Sequence, residues 1–129
     1  MRDPPYDYTG ALENAGPRPG DALLFLMSGF FFSDHDRLVE FILGHHLPSM
    51  FGDRVFADLG GLISYGPSIP GMYQLTAEYV GKILNGSPPA DLSIEMPTKF
   101  ELVVNLKTAM KLGLKVPPAI LARADEVIE

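Results

Sequence analysis

Ala22-Leu23-Leu24-Phe25-Leu26-Met27, opened by Asp21 and closed by Ser28-Gly29, is the stretch that decides the fold. Six apolar residues in a row, with no polar alternation, describe a strand buried on both faces. That is the habit of a parallel sheet rather than of a solvent-facing one. The longer apolar run, Ala22–Phe32, is broken at Ser28 and Gly29 and is too short to span a bilayer. The acidic, proline-containing residues before it lack the basic character of a signal-peptide leader.

Moving outward, residues Met1–Gly20 carry four prolines and three glycines. They read as a flexible, loosely docked arm with at most one helical turn at Gly10–Ala15, and Pro17-Arg18-Pro19-Gly20 marks entry to a single domain, 21–129. Downstream, Ser33-Asp34-His35-Asp36 reads as a helix start. Ser33 supplies a cap, and Asp34 and Asp36 favour the positive end of the helix dipole. Leu38, Phe41, Ile42 and His45 share one face of that helix. Leu47–Phe51 is expected as a second strand and Arg54–Leu59 as a short helix. Gly60-Gly61 ends that helix, with Gly61 expected in a left-handed conformation.

Leu62–Tyr65 is expected as a third strand, followed by a loop over Gly66–Gly71. Met72–Asn85 has the clearest helical period: Met72, Leu75, Tyr79, Val80, Ile83 and Leu84 form a face expected to be buried. Ser87–Pro97 is extended, Phe100–Val104 a strand, and Asn105 caps a helix through Leu112. Pro117-Pro118 opens a last helix to about Arg123. Strands alternating with helices imply an α/β fold: three layers, with a mainly parallel sheet flanked by helices.

With 129 residues the chain has room for one modest core. Its formal net charge of −6 and lack of a basic cluster argue against nucleic acid or an anionic membrane as partner. Cysteine is absent, which removes disulfides, thiolate nucleophiles and cysteine metal sites. His35 and His45 lie nearly three turns apart on one helix, about 15 Å, too far to share an ion. No metal site and no cofactor are therefore expected. Nor is there a Gly-x-Ser-x-Gly elbow or a phosphate loop ending in Lys-Ser/Thr, so an enzyme is not expected.

Three segments in order resemble one family. They are Gly60–Gly66 with Tyr73; Lys82–Leu92; and Pro97–Ala109 with Leu112-Gly113-Leu114 and Arg123–Glu129. Together they resemble the type I periplasmic substrate-binding proteins of ABC transporters, in the branch that binds aromatic amino acids. The resemblance implies a partial lobe of that fold, matching the final third of the family pattern, as in a truncated C-terminal portion. It also implies an amino-acid-like solute, an ABC permease as partner and a periplasmic location; without a leader, a cytoplasmic fragment is the alternative. The helix Met72–Asn85 would pack on a first lobe that this stretch does not contain, so a homodimer is expected.

In the family, ligand contacts lie on loops at the C-terminal ends of parallel strands, as in open α/β sheets generally. Here those loops are Ser28–Ser33 and Tyr65–Ser68. Phe30, Phe31 and Phe32 would form an aromatic wall, Ser33, Tyr65 and Ser68 would give hydroxyls, Gly66 lies between them, and Asp34 would meet an amino group. The plainer alternative makes the phenylalanines core, Ser33 and Asp34 a helix cap, and Tyr65 structural. Where family members carry an acid after the first strand and bases after the tyrosine, this chain has Ser28-Gly29 and Gln74-Leu75. Two other functions stay open: a self-associating structural fragment without ligand, and a small flavodoxin-like binding domain or hydrolase.

Overall fold

The computed structural model describes residues 6–16, 18 and 20–129. Pro17 and Pro19, read above as the entry to the folded part, lie outside the described residues, as do residues 1–5. The chain opens with α1 (Tyr8–Ala15), which begins earlier and runs longer than the single turn expected. Asp7 accounts for the early start, because its carboxylate accepts the Gly10 N–H at 2.8 Å. The helix is docked as well, since Tyr8 packs against the core.

β1 (Leu23–Phe25) is the centre of the deciding run and shorter than the run itself. After it come α2 (Gly29–Ser33), α3 (His35–Gly44), β2 (Ser49–Phe51) and α4 (Arg54–Asp58). β3 (Ile63–Pro67) leads into α5 (Ile69–Leu84), a 3-10 turn at Pro89–Asp91 and an extended return to β4 (Phe100–Asn105). α6 (Leu106–Lys111), α7 (Pro118–Leu121) and β5 (Glu126–Ile128) close the chain.

The five strands lie in sequence order across one sheet. β1–β2, β2–β3 and β4–β5 pair parallel, and β3–β4 pairs antiparallel. The reversal has a local cause. Chain leaving β3 travels out along α5 and returns beside its own point of exit, where Pro67 faces Phe100 and the Ser68 N–H donates to the Lys99 carbonyl at 3.0 Å.

Leu23 and Phe25 of β1 and Phe51 of β2 point to one face, where they meet Leu38, Val39 and Ile42 of α3 and Phe56 of α4. The rings of Phe25, Phe51 and Phe56 stack in series, at 5.0 and 4.6 Å between centroids. Leu24, Met50, Ile63 and Tyr65 occupy the opposite face by register and alternation. There Leu24 stays 65% and Tyr65 50% exposed.

Several expectations need correction. The loop expected at Ser28–Ser33 is the helix α2, capped by Ser28, whose Oγ accepts the Phe30 N–H at 3.3 Å. Ser33 caps nothing; its hydroxyl donates to the Phe30 carbonyl at 2.9 Å. Asp34 stands at the N-cap of α3 without a side-chain cap bond. Gly66 and Pro67 belong to β3 rather than to a loop. The positive φ belongs to Gly60, at 113°, not to Gly61. Gly61 is required for a different reason, since a Cβ there would lie 2.7 Å from both the Phe51 ring and the Phe56 carbonyl. Lastly, no residue of α5 is buried, although its apolar face was expected to be.

Candidate ligand cleft

Parallel strands place their C-terminal ends on one side of the sheet, and here the ends of β1, β2 and β3 bring Leu26–Ser28, Gly52-Asp53 and Pro67-Ser68 together. A cleft of about 340 Å³ opens between the first two ends, lined by Met27, Ser28, Phe31, Phe32, Asp53 and Phe56 among others. Phe32 and Asp53 also line a neighbouring hollow of about 520 Å³ that continues past Pro67 to Tyr73. The two hollows therefore form one groove across three strand ends.

Asp53 is the one carboxylate of the first, largely apolar hollow, while Arg54, Asp58 and Glu101 line the second. Asp53 sits at the N-cap of α4, and its Oδ1 accepts the Val55 N–H at 2.9 Å. It takes part in none of the ion pairs found among the described residues. The nearby cation, Arg54, is engaged elsewhere: its guanidinium meets the two oxygens of Glu126 at 2.7 and 2.9 Å and Asp58 at 3.3 Å. The Glu126 bond raises the Arg54 pKa above its usual value. A ligand's ammonium could thus meet Asp53 without competition from that arginine.

The predicted site residues divide. Phe31 and Phe32 line the groove, Phe31 with its ring edge-on to Phe25 at 5.3 Å. Phe30 points to the other side of α2, where Tyr6 meets it edge-on at 6.0 Å and a second hollow of about 400 Å³ opens. Ser33 is spent on the Phe30 carbonyl and Asp34 on Tyr8 and Arg37, at 2.7 and 3.4 Å. Burial and the bond to Asp34 push the Tyr8 hydroxyl well above the ordinary tyrosine range. Tyr65 lies on the open sheet face, stacked on Phe100 at 5.6 Å. Gly66 has a packing role: a Cβ there would overlap the Gly52 carbonyl oxygen. Ser68 is buried at the N-cap of α5 and lines a separate hollow of about 220 Å³ at the base of that helix.

Asp53 is not among the residues expected from sequence. Parallel strands present every C-terminal end to the same side, so the end of the second strand belongs with those of the first and third.

The sequence profile of the ABC transporter substrate binding protein family matches residues 17–128. The chain belongs to this family. Among curated proteins, sequence comparison finds no match. Among solved structures, the fold is similar to that of a conserved domain protein from Vibrio cholerae, with a TM-score of 0.81 at 24% identity over 92% of this chain. It is also similar to an ABC domain from Streptococcus pneumoniae solved in complex with L-Trp (TM-score 0.78, 22% identity, 85% of this chain). A third likeness is to a ligand-free, open substrate-binding protein with adhesive properties from Clostridium difficile, with a TM-score of 0.57 at 19% identity over 82% of this chain. The chain spans 39%, 38% and 36% of those three chains, respectively. No helix among the described residues is long and apolar enough to cross a membrane.

Proposed function

We propose that this chain captures a small, amino-acid-like solute for an ABC importer, without catalysing a reaction. The observation that carries the reading is the groove at the strand ends, where Phe31 and Phe32 stand beside Asp53. Aromatic walls suit an apolar or aromatic side chain, and an unpaired carboxylate suits an ammonium group. An L-Trp complex on a similar fold supports the same solute class. The partner would be an ABC permease and the setting periplasmic, as in the family. Of the residues named from sequence, Phe31 and Phe32 would touch the solute directly. Gly66 would shape the groove floor through its contact with Gly52, whereas Tyr65, Ser68, Phe30, Ser33 and Asp34 would act at most indirectly, from outside the groove.

Thermal unfolding of the chain against a panel of aromatic amino acids, L-tryptophan first, tests this. Stabilisation should grow with the logarithm of concentration, reaching about 2.7 kcal/mol at a hundredfold excess over Kd. Phe32→Ala and Asp53→Asn should each weaken binding about tenfold. A panel without any shift defeats the reading, and a shift with flavin mononucleotide alone favours a flavodoxin-like domain.

A second reading rests on α5. Its apolar stripe, with Tyr73, Val80, Ile83 and Leu84, is exposed, and so are Ile94 and Met96 on the return segment. Soluble proteins seldom leave such a patch uncovered. In a homodimer exchanged through α5, the stripe of one copy would lie on the partner's open sheet face at Leu24 and Tyr65. Light scattering across a dilution series should show dimers that dissociate on dilution; a monomer at every concentration excludes this reading.

A further inference from the structure

Helix α2 forms one wall of the groove, yet it has little hold of its own. It is five residues long, buries none of them and leaves Phe32 52% exposed. Only Phe31 reaches inward, to the ring of Phe25. Hollows open on both sides of this helix, and Ser28 and Phe31 line both, so α2 is a thin partition.

The far side of the partition is braced by the N-terminal helix. Asp34 is the joint between α2 and α3, being the C-cap of one and the N-cap of the other. The Tyr8 hydroxyl donates to its carboxylate at 2.7 Å. Arg37 lies 5.3 Å over the Tyr8 ring, meets Asp34 at 3.4 Å and donates to the Tyr6 carbonyl at 2.8 Å. Tyr8 is itself fixed, its ring 5.8 Å from Phe41 against the α3 core. Tyr6 meets Phe30 of α2 edge-on.

From these contacts we infer that Tyr8 is a positioning residue for the solute groove: its bond to Asp34 fixes the α2–α3 joint and so holds Phe31 and Phe32 in the wall. The inference rests on the groove being the binding site. Tyr8 touches no solute. It acts through Asp34, and its loss would loosen one wall while leaving the sheet intact. Hydrogen bonds to ionised groups are among the stronger ones in proteins, so a single hydroxyl is enough for this purpose.

Tyr8→Phe removes only that hydroxyl. Two readouts on the full chain decide the matter: amide hydrogen exchange, and binding of indole, a neutral aromatic probe. The chain contains no tryptophan, so indole fluorescence has little competing background. In Tyr8→Phe, the amides of α2 should exchange about tenfold faster and indole should bind several-fold more weakly, while amides of β2 to β4 keep their rates. Asp34→Asn, which retains an oxygen to accept from Tyr8, should behave closer to the wild type than Asp34→Ala. Combining Tyr8→Phe with Asp34→Ala should add little to either alone. Unchanged α2 exchange overturns the inference, and so does exchange that quickens equally in β2 to β4. Indole binding that Tyr8→Phe leaves untouched overturns it while sparing the groove. Absence of indole binding in the wild type removes the groove reading and this inference with it.

Discussion

Helices α3 and α5 carry comparable apolar stripes, and the chain treats them in opposite ways. Leu38, Val39 and Ile42 of α3 are at most 3% exposed, pressed onto Phe51 and Phe56. Ile83 of α5 is 41% exposed and Leu84 81%, and what covers the stripe in part is the extended return segment. There Tyr79 donates its hydroxyl to the Ser93 carbonyl. The body around α3 is a packed core; α5 and its return form an arm that leaves the sheet at Ser68 and rejoins it at Lys99. Periodicity shows which side of a helix is apolar, but what covers that side depends on chain elsewhere.

The largest expected effect is in the body, at the closest backbone approach. Gly66→Val would drive a branched side chain into the Gly52 carbonyl across two neighbouring strands, where the register allows little retreat. Overpacking typically costs 1–3 kcal/mol and occasionally more, and a backbone obstacle belongs at the upper end. A loss of about 3 kcal/mol or more in urea denaturation is expected. A near-neutral result would mean that β2 and β3 can separate at their C-terminal ends, and the groove floor with them.

The next effect sets body against arm directly. Ile42→Ala empties a fully packed site and should cost about 2–5 kcal/mol. Ile83→Ala removes a half-exposed side chain and should cost less than about 1 kcal/mol in dilute solution. If the two losses are equal, α5 is covered. If Ile83→Ala grows costly only as protein concentration rises, the cover is a second copy.

How far the sequence could be read follows the same division. The unbroken run Ala22–Met27 marks a parallel strand but not one buried on both faces, since Leu24 is 65% exposed. Asn105 caps its helix as expected, its side chain accepting the Thr108 N–H at 3.1 Å. Those features depend on neighbours in sequence. β5 was not expected, because Glu126-Val127-Ile128 becomes a strand only by pairing with Val103, Val104 and Asn105. Gly-Phe-Phe-Phe-Ser reads as a loop because it has no helical period of its own; in the fold it is α2, capped by Ser28 and anchored on Phe25. Of the expected wall Phe30–Phe32, Phe31 and Phe32 line the candidate groove and Phe30 does not, and the joining of Phe32 and Asp53 needed the register of three strands. The partner of Asp34 was out of reach for the same reason, since Tyr8 is 26 residues away.

The smallest expected effect concerns that partner, and it tests whether α1 counts as body or as a second arm. Tyr8 has its hydroxyl pKa raised, by burial first and by the Asp34 bond second. An unfolded chain releases the same proton near pH 10. Above that pH the unfolded chain binds fewer protons than the folded one, so stability must fall as pH rises. The stabilisation supplied by Tyr8 is therefore complete below about pH 10 and declines above it. Tyr8→Phe lacks the proton altogether and retains every other tyrosine. The stability difference between wild type and Tyr8→Phe should stay level from pH 7 to 9 and narrow steadily toward pH 11, read by urea denaturation at each pH. A difference that stays level throughout would mean that Tyr8 is as free in the folded chain as in the unfolded one, and that α1, like α5, stands apart from the core.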